Sequence, residues 1–103
     1  ISGGENIYPV EIEKEIIQHP KVHDVAVIGT PDNRLGEIAT AVIQVVEGET
    51  LPEEEISAFC ETCLPRYKCP RCIIFDEVPR NPTGKLNKPL LRQKFAPQKN
   101  EGI

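Results

Sequence analysis

Apolar residues recur along the chain with two periods, one near 3.6 and one near 2. Ile12 and Ile16 lie one helical turn apart with Ile17 beside them. Pro9 opens the segment and Pro20 closes it, which predicts a helix over residues 9–19. Residues 22–29 are rich in β-branched side chains and read as a strand, followed by the turn-forming run Thr30-Pro31-Asp32-Asn33. A second strand is expected over 37–46, with Gly48 in the turn after it. Residues 51–64 carry a full apolar helix face: Ile56, Phe59, Cys60, Cys63 and Leu64. Thr50 followed by Glu53 resembles a capping box at its start, and Pro65 stops it. Cys72-Ile73-Ile74-Phe75 reads as a third strand, residues 79–86 as a Pro/Gly loop, and 87–95 as a short helix. The order α, β, β, α, β, α predicts an α+β fold: a small mixed sheet of about three strands with helices packed on it.

Composition narrows the class. The 103 residues are 39% hydrophobic and 27% charged, enough for one modest core and too few for a two-domain enzyme. No periodic or biased tract points to collagen or low complexity. No apolar run approaches the roughly 20 residues that span a bilayer. The start shows no basic-then-apolar leader, so a cytoplasmic setting is expected. Residue 1 is Ile and the chain has no Met, which points to a piece of a longer polypeptide.

Charge is uneven. Residues 1–63 hold 3 Lys and Arg against 13 Asp and Glu, whereas residues 64–103 hold 9 against 3. The basic half suggests an anionic partner such as phosphate or nucleotide, or else an ordinary solvated surface. Nucleic acid is not expected, because Tyr67, Phe75 and Phe95 form no stacking pattern among the basic residues.

Two groups of residues invite chemistry. Cys60, Cys63, Cys69 and Cys72 form two CxxC pairs and could hold a tetrahedral zinc. The five intervening residues fall short of the roughly 15–20 usual between such pairs. Cys60 and Cys63 also lie on an apolar helix face, where a free thiol acts as a small hydrophobe. No metal is therefore assigned. Gly84-Lys85 is not a P-loop, since Pro79 and Leu86 stand where that motif needs Gly and Ser or Thr. It is a lysine on a Pro-framed, Gly-flexed loop, able to stabilise negative charge developing on an oxygen. A solvated turn lysine is the plainer reading of the residues alone.

Two separated segments carry a resemblance. Ser2-Gly3-Gly4-Glu5-Asn6-Ile7-Tyr8-Pro9, running into Glu11-Ile12-Glu13, resembles a segment of adenylate-forming enzymes. Pro79 to Lys85, continuing through Leu86-Asn87-Lys88 and Leu91-Arg92, resembles the C-terminal lysine motif of the same superfamily. Val25 to Gly29, Pro31-Asp32, Gly36-Glu37 and Arg66-Tyr67-Lys68-Cys69-Pro70 resemble it as well. The resemblance runs over nearly the whole chain. The GGENIYP form of the first segment is most similar to acyl-CoA synthetases that act on fatty or aryl acids.

That resemblance implies a mobile C-terminal domain of an AMP-binding enzyme, with residues 1–103 as one domain and a large N-terminal domain elsewhere in the parent chain. Such enzymes convert a carboxylic acid and ATP to an acyl-adenylate, then transfer the acyl group to CoA. Mg²⁺ is expected with the ATP. By motif position, Lys85 is the adenylation lysine. Gly3, Gly4 and Glu5 border the CoA pantetheine channel. Tyr67 meets the CoA nucleotide, and Lys68 and Arg71 its phosphates. Cys69 stands where some relatives carry Arg, and Lys88 where the motif often has Arg. The isolated chain, lacking the ATP phosphate loop, is expected to be inactive. Two alternatives stand beside this reading: a free-standing CoA- or nucleotide-binding module, and a zinc-stabilised interaction domain.

Overall fold

The computed structural model describes residues 7–96. Its elements are α1 (Pro9–Ile16), β1 (Val22–Asp32), β2 (Gly36–Val45), α2 (Glu53–Cys63), β3 (Cys72–Phe75) and α3 (Lys88–Phe95), with one 3-10 turn at Arg66–Lys68. The α+β expectation holds. The three strands form one mixed sheet in the order β1-β2-β3. A hairpin joins β1 and β2 antiparallel, and the α2 crossover brings β3 parallel to β2.

Alternation along the strands divides the interior in two. Val25 and Val27 of β1 and Ala39, Ala41 and Ile43 of β2 pack against Ile12 and Ile16 of α1 and Ile56 and Cys60 of α2. Ala26, Ile28 and Val42 face the other way, onto Leu91 of α3 and onto Val78 in the segment after β3. The central strand is thus covered on both faces, which explains its nearly unbroken apolar run. Burial of each large aliphatic side chain contributes roughly 1.5–3 kcal/mol. The buried hydroxyls of Thr30 and Thr40 bond each other at 2.7 Å and leave no polar loose end there.

Boundaries depart from the periodicity in three places. Helix α1 ends at Ile16 rather than near 19. Its last turns tighten (Gln18 N–H to Glu15 C=O, His19 N–H to Ile16 C=O), and His19 folds inward. The His19 Nδ1 accepts from the Lys21 N–H at 3.1 Å, so its Nε2 carries the proton and donates to Glu55 at 3.1 Å. The expected turn at Thr30–Asn33 lies later, because β1 continues to Asp32 and the Asp32 carboxylate accepts from the N–H groups of Arg34 and Leu35. The capping box does not form. Pro52 is the N-cap of α2, no side chain caps it, and the Thr50 carbonyl instead accepts from Lys21 Nζ at 3.1 Å. A proline one residue before Glu53 shifts the helix start past the reach of the Thr50 hydroxyl.

Candidate functional site

Strand β3 is only four residues long, and it separates two places where chemistry-bearing side chains gather. The chain enters it beside Ala39, whose carbonyl accepts from the Arg71 N–H at 3.0 Å. It leaves beside Gln44, whose side-chain oxygen accepts from the Val78 N–H at 2.9 Å. These points are five residue steps apart along β2, about 17 Å of strand.

At the Gln44 end stands the lysine loop. Asn81-Pro82-Thr83-Gly84 is a β-turn, with Gly84 N–H donating to Asn81 C=O at 2.8 Å. Pro is favoured at the second position of such a turn and Gly at the fourth. Gly84 adopts φ of +92°, so the turn closes into a small hairpin. Two further rungs complete it: Asn81 N–H to Lys85 C=O at 2.8 Å, and Asn87 N–H to Pro79 C=O at 2.9 Å. The Arg80 guanidinium grips Asp24 of β1 with two bonds, 2.8 and 2.9 Å, and donates a third to the Gly84 carbonyl. Burial pushes the Asp24 carboxyl up, but the bonds from Arg80 and from the Val25 N–H outweigh it and hold the group below 3.8. On the far side of the loop, Asn87 caps α3 through the Leu90 N–H at 3.3 Å. Lys88 pairs with Glu13 at 2.8 Å, and Glu13 also accepts from the Val27 N–H at 2.7 Å. Lys85 itself is exposed and, among the described residues, has no ion-pair partner. The hairpin therefore presents an ammonium group from a frame held on both sides.

The second place lies at the Ala39 end. The 3-10 turn lifts Tyr67 outward until 65% of it is exposed. Tyr8 meets the Tyr67 ring edge-on, with centroids 6.0 Å apart. Lys68 Nζ reaches both carboxylate oxygens of Glu11, at 2.9 and 3.0 Å, and lies 4.8 Å from the Tyr8 ring centre. The Glu11 bond holds the Lys68 ammonium above its usual pKa. A cavity of about 280 Å³ opens beside Tyr67, lined by Glu61, Arg66, Cys69, Pro70 and Arg71. Tyr67 and Arg71 line this cavity together, while Lys68 is directed to Glu11. Arg66 is a lining cation to which sequence reasoning assigned no site role. Its place directly before Tyr67 in the basic half was the available signal. Gly3, Gly4 and Glu5 lie outside the described residues.

The cysteines behave as packing residues. Cys60 is buried, and burial, with the nearby Cys69 and Cys63, pushes its thiol up to about 12. Cys63 donates to Phe59 C=O at 3.3 Å, and Cys69 to Pro65 C=O at 3.6 Å. Among the described residues no three His, Cys, Asp or Glu side chains converge on a metal position. None of the described helices is long and apolar enough to cross a membrane.

An ammonium on a braced hairpin and a cavity lined by Tyr67, Arg66 and Arg71 thus stand near opposite ends of β2. The chain belongs to the AMP-binding enzyme C-terminal domain family, whose pattern matches residues 11–85. The long-chain-fatty-acid–CoA ligase FadD13 of Mycobacterium tuberculosis is 52% identical over 97 residues, covering 93% of this chain and 19% of that protein. The mitochondrial medium-chain acyl-CoA ligase ACSF2 of Danio rerio is 43% identical over 99 residues, covering 95% of this chain and 16% of that protein. Among solved structures, a Mycobacterium tuberculosis fatty acyl CoA synthetase superposes with a TM-score of 0.83 at 50% identity, over 93% of this chain and 19% of its own. ATP-bound MatB from Rhodopseudomonas palustris gives 0.80 at 41% identity, over 89% and 18%. The chain thus spans less than a fifth of the length of these relatives.

Proposed function

We propose that this chain is the single C-terminal domain of an ATP-dependent acyl-CoA ligase and works against a large N-terminal domain of the same polypeptide. In the first half-reaction a carboxylate oxygen attacks the α-phosphorus of ATP and pyrophosphate leaves, with Mg²⁺ accompanying the ATP in the larger domain. Lys85 supplies a positioned cation where the attacking carboxylate and the five-coordinate phosphorus concentrate negative charge. It needs to transfer no proton. In the second half-reaction the CoA thiol attacks the acyl carbonyl and AMP leaves. Gly3, Gly4 and Glu5 border the pantetheine path. Tyr67 offers a face to the CoA nucleotide, and Arg66 and Arg71 meet its phosphates. Lys68 adds charge nearby while anchoring the turn to Glu11. We place the protein in the cytoplasm.

The observation that carries this reading is the Lys85 ammonium, exposed and without an ion-pair partner among the described residues, on a hairpin braced by Arg80 and Lys88. A cation meant only for solubility needs no such frame. In the full-length protein, Lys85→Ala should lower acyl-adenylate formation by roughly 10²–10³-fold. Thioester formation from supplied acyl-adenylate should stay within about twofold, since a rotated domain no longer presents Lys85. Pyrophosphate release and acyl-CoA formation, measured separately, check this. Equal loss of both half-reactions would remove Lys85 from the proposed role.

A further inference from the structure

We infer that Arg80, anchored on Asp24, is the positioning residue that sets where the Lys85 ammonium stands. The inference rests on the reading of Lys85 as the adenylation cation and extends it to residues that do not touch substrate.

The geometry is specific to the guanidinium fork. The Arg80 Nε and one terminal nitrogen bind the two carboxylate oxygens of Asp24, at 2.8 and 2.9 Å. The other terminal nitrogen turns back to the Gly84 carbonyl. That carbonyl belongs to the peptide plane joining Gly84 to Lys85. Fixing it fixes the direction in which the Lys85 side chain leaves the backbone. Gly84 alone would leave that plane loose, since at φ +92° nothing stands within 4 Å of where a Cβ would be.

The anchor is set by the sheet. β1 gains one residue at His23, where its register against β2 shifts between Val22 and Asp24. The bulge keeps Val22 in the core beneath α1 and α2 while Asp24 falls in step with Ala26 and Ile28 on the α3 side. The loop docks on that side. Asp24 is well shielded, with 14% of its side chain exposed, whereas 45% of Arg80 is exposed. A surface arginine with three engaged donors is placed for orientation more than for stability. Lys cannot replace it, because one ammonium cannot grip Asp24 in two places and still reach Gly84.

The test is made in the full-length protein, with Lys85→Ala beside it. Arg80→Ala should lower adenylate formation by about 10–100-fold, the cost of a misplaced catalytic group. It should leave thioester formation from supplied acyl-adenylate within twofold and lower the melting temperature of the domain by only about 4–8 °C. Arg80→Lys should lose at least fivefold in adenylation despite keeping the charge. If Arg80→Ala does not fold, Asp24→Asn carries the test with the same split at roughly three- to fivefold. Adenylation within twofold of the parent in Arg80→Ala, while Lys85→Ala abolishes it, overturns the positioning role and leaves the reading of Lys85 standing. Equal losses in both half-reactions also overturn it. Unchanged adenylation in Lys85→Ala brings down both.

Discussion

The two ends of β2 use the same material differently. At each, a basic side chain from the second half of the chain grips an acidic one from the first: Arg80 on Asp24 at one end, Lys68 on Glu11 at the other. At each, the gripping residue sits in the same turn as the group put forward. Arg80 holds the hairpin of Lys85, and Lys68 holds the turn of Tyr67. What is presented differs. One end offers a lone cation on a short rigid hairpin, suited to one point of concentrated charge. The other offers an exposed ring beside two arginines and a cavity of about 280 Å³, suited to a flat ligand carrying phosphates. The charge excess of the second half is therefore partly internal. Among the described residues, Lys68, Arg80 and Lys88 close onto carboxylates of the first half, and Lys94 onto Asp76.

If the ends divide the labour this way, substitutions at the Tyr67 end should spare adenylation. Tyr67→Ala should raise KM for CoA by about tenfold in the full-length protein, in line with the roughly 1–3 kcal/mol of a base stacked on an aromatic ring. Adenylate formation should not change. Lys68→Ala should raise the same KM by only about threefold, because Lys68 acts through the turn. A Lys68 effect larger than that of Tyr67 would make Lys68 a direct phosphate contact.

Much of this arrangement could be read along the chain. The strand over Cys72–Phe75 is bounded as its residues suggested, because Arg71 and Asp76 set off a run of four apolar residues. The apolar face through Ile56 and Cys60 identified α2. Lys85 stood out only through the resemblance carried by Pro79 to Lys85, since its residues alone read as a solvated turn. The braces were not legible. Arg80 and Asp24 are 56 positions apart, and no local period links them. They meet because a bulge at His23 decides which way Asp24 points, and a bulge is a property of two strands in register. The division of charge was plain, but its meaning depended on which cations the fold turns inward. The false capping box shows the same limit, since the spacing was right and one proline overrode it.

The Asp24–Arg80 pair can be weakened by pH. Asp24 is held below 3.8 in the folded chain, so it contributes stability that is fully present above about pH 4 and is lost as pH falls through the folded value. Arg80 is nearly half exposed, and solvent screening holds the contribution to about 1 kcal/mol. Thermal melts between pH 3 and 7 should show Asp24→Asn losing part of the acid sensitivity of the parent. The Asp76–Lys94 pair is more exposed, and its removal should change the profile less. Identical profiles for parent and Asp24→Asn would mean that the pair orients the hairpin without stabilising the fold.

The smallest effect separates orientation from stability most cleanly. Gly48 and Gly84 are matched: φ is +87° and +92°, and neither position has an atom within 4 Å of where a Cβ would stand. Alanine at either site meets no clash and incurs only the left-handed backbone cost. That cost is 1–2 kcal/mol, offset in part by the stiffer unfolded chain, leaving roughly 0.5–1 kcal/mol. Melting temperatures of the two variants should therefore fall by similar amounts. Gly48 lies in the turn after β2, outside the hairpin that carries Lys85, so Gly48→Ala should leave both half-reactions intact. Gly84 carries the carbonyl that Arg80 grips, and any shift of its φ tilts the peptide that bears Lys85. Gly84→Ala should lower adenylation severalfold at the same loss of stability. If the two variants match in activity as well as in melting, the hairpin tolerates tilting, and Lys85 reaches its target through the length of its side chain rather than through the frame beneath it.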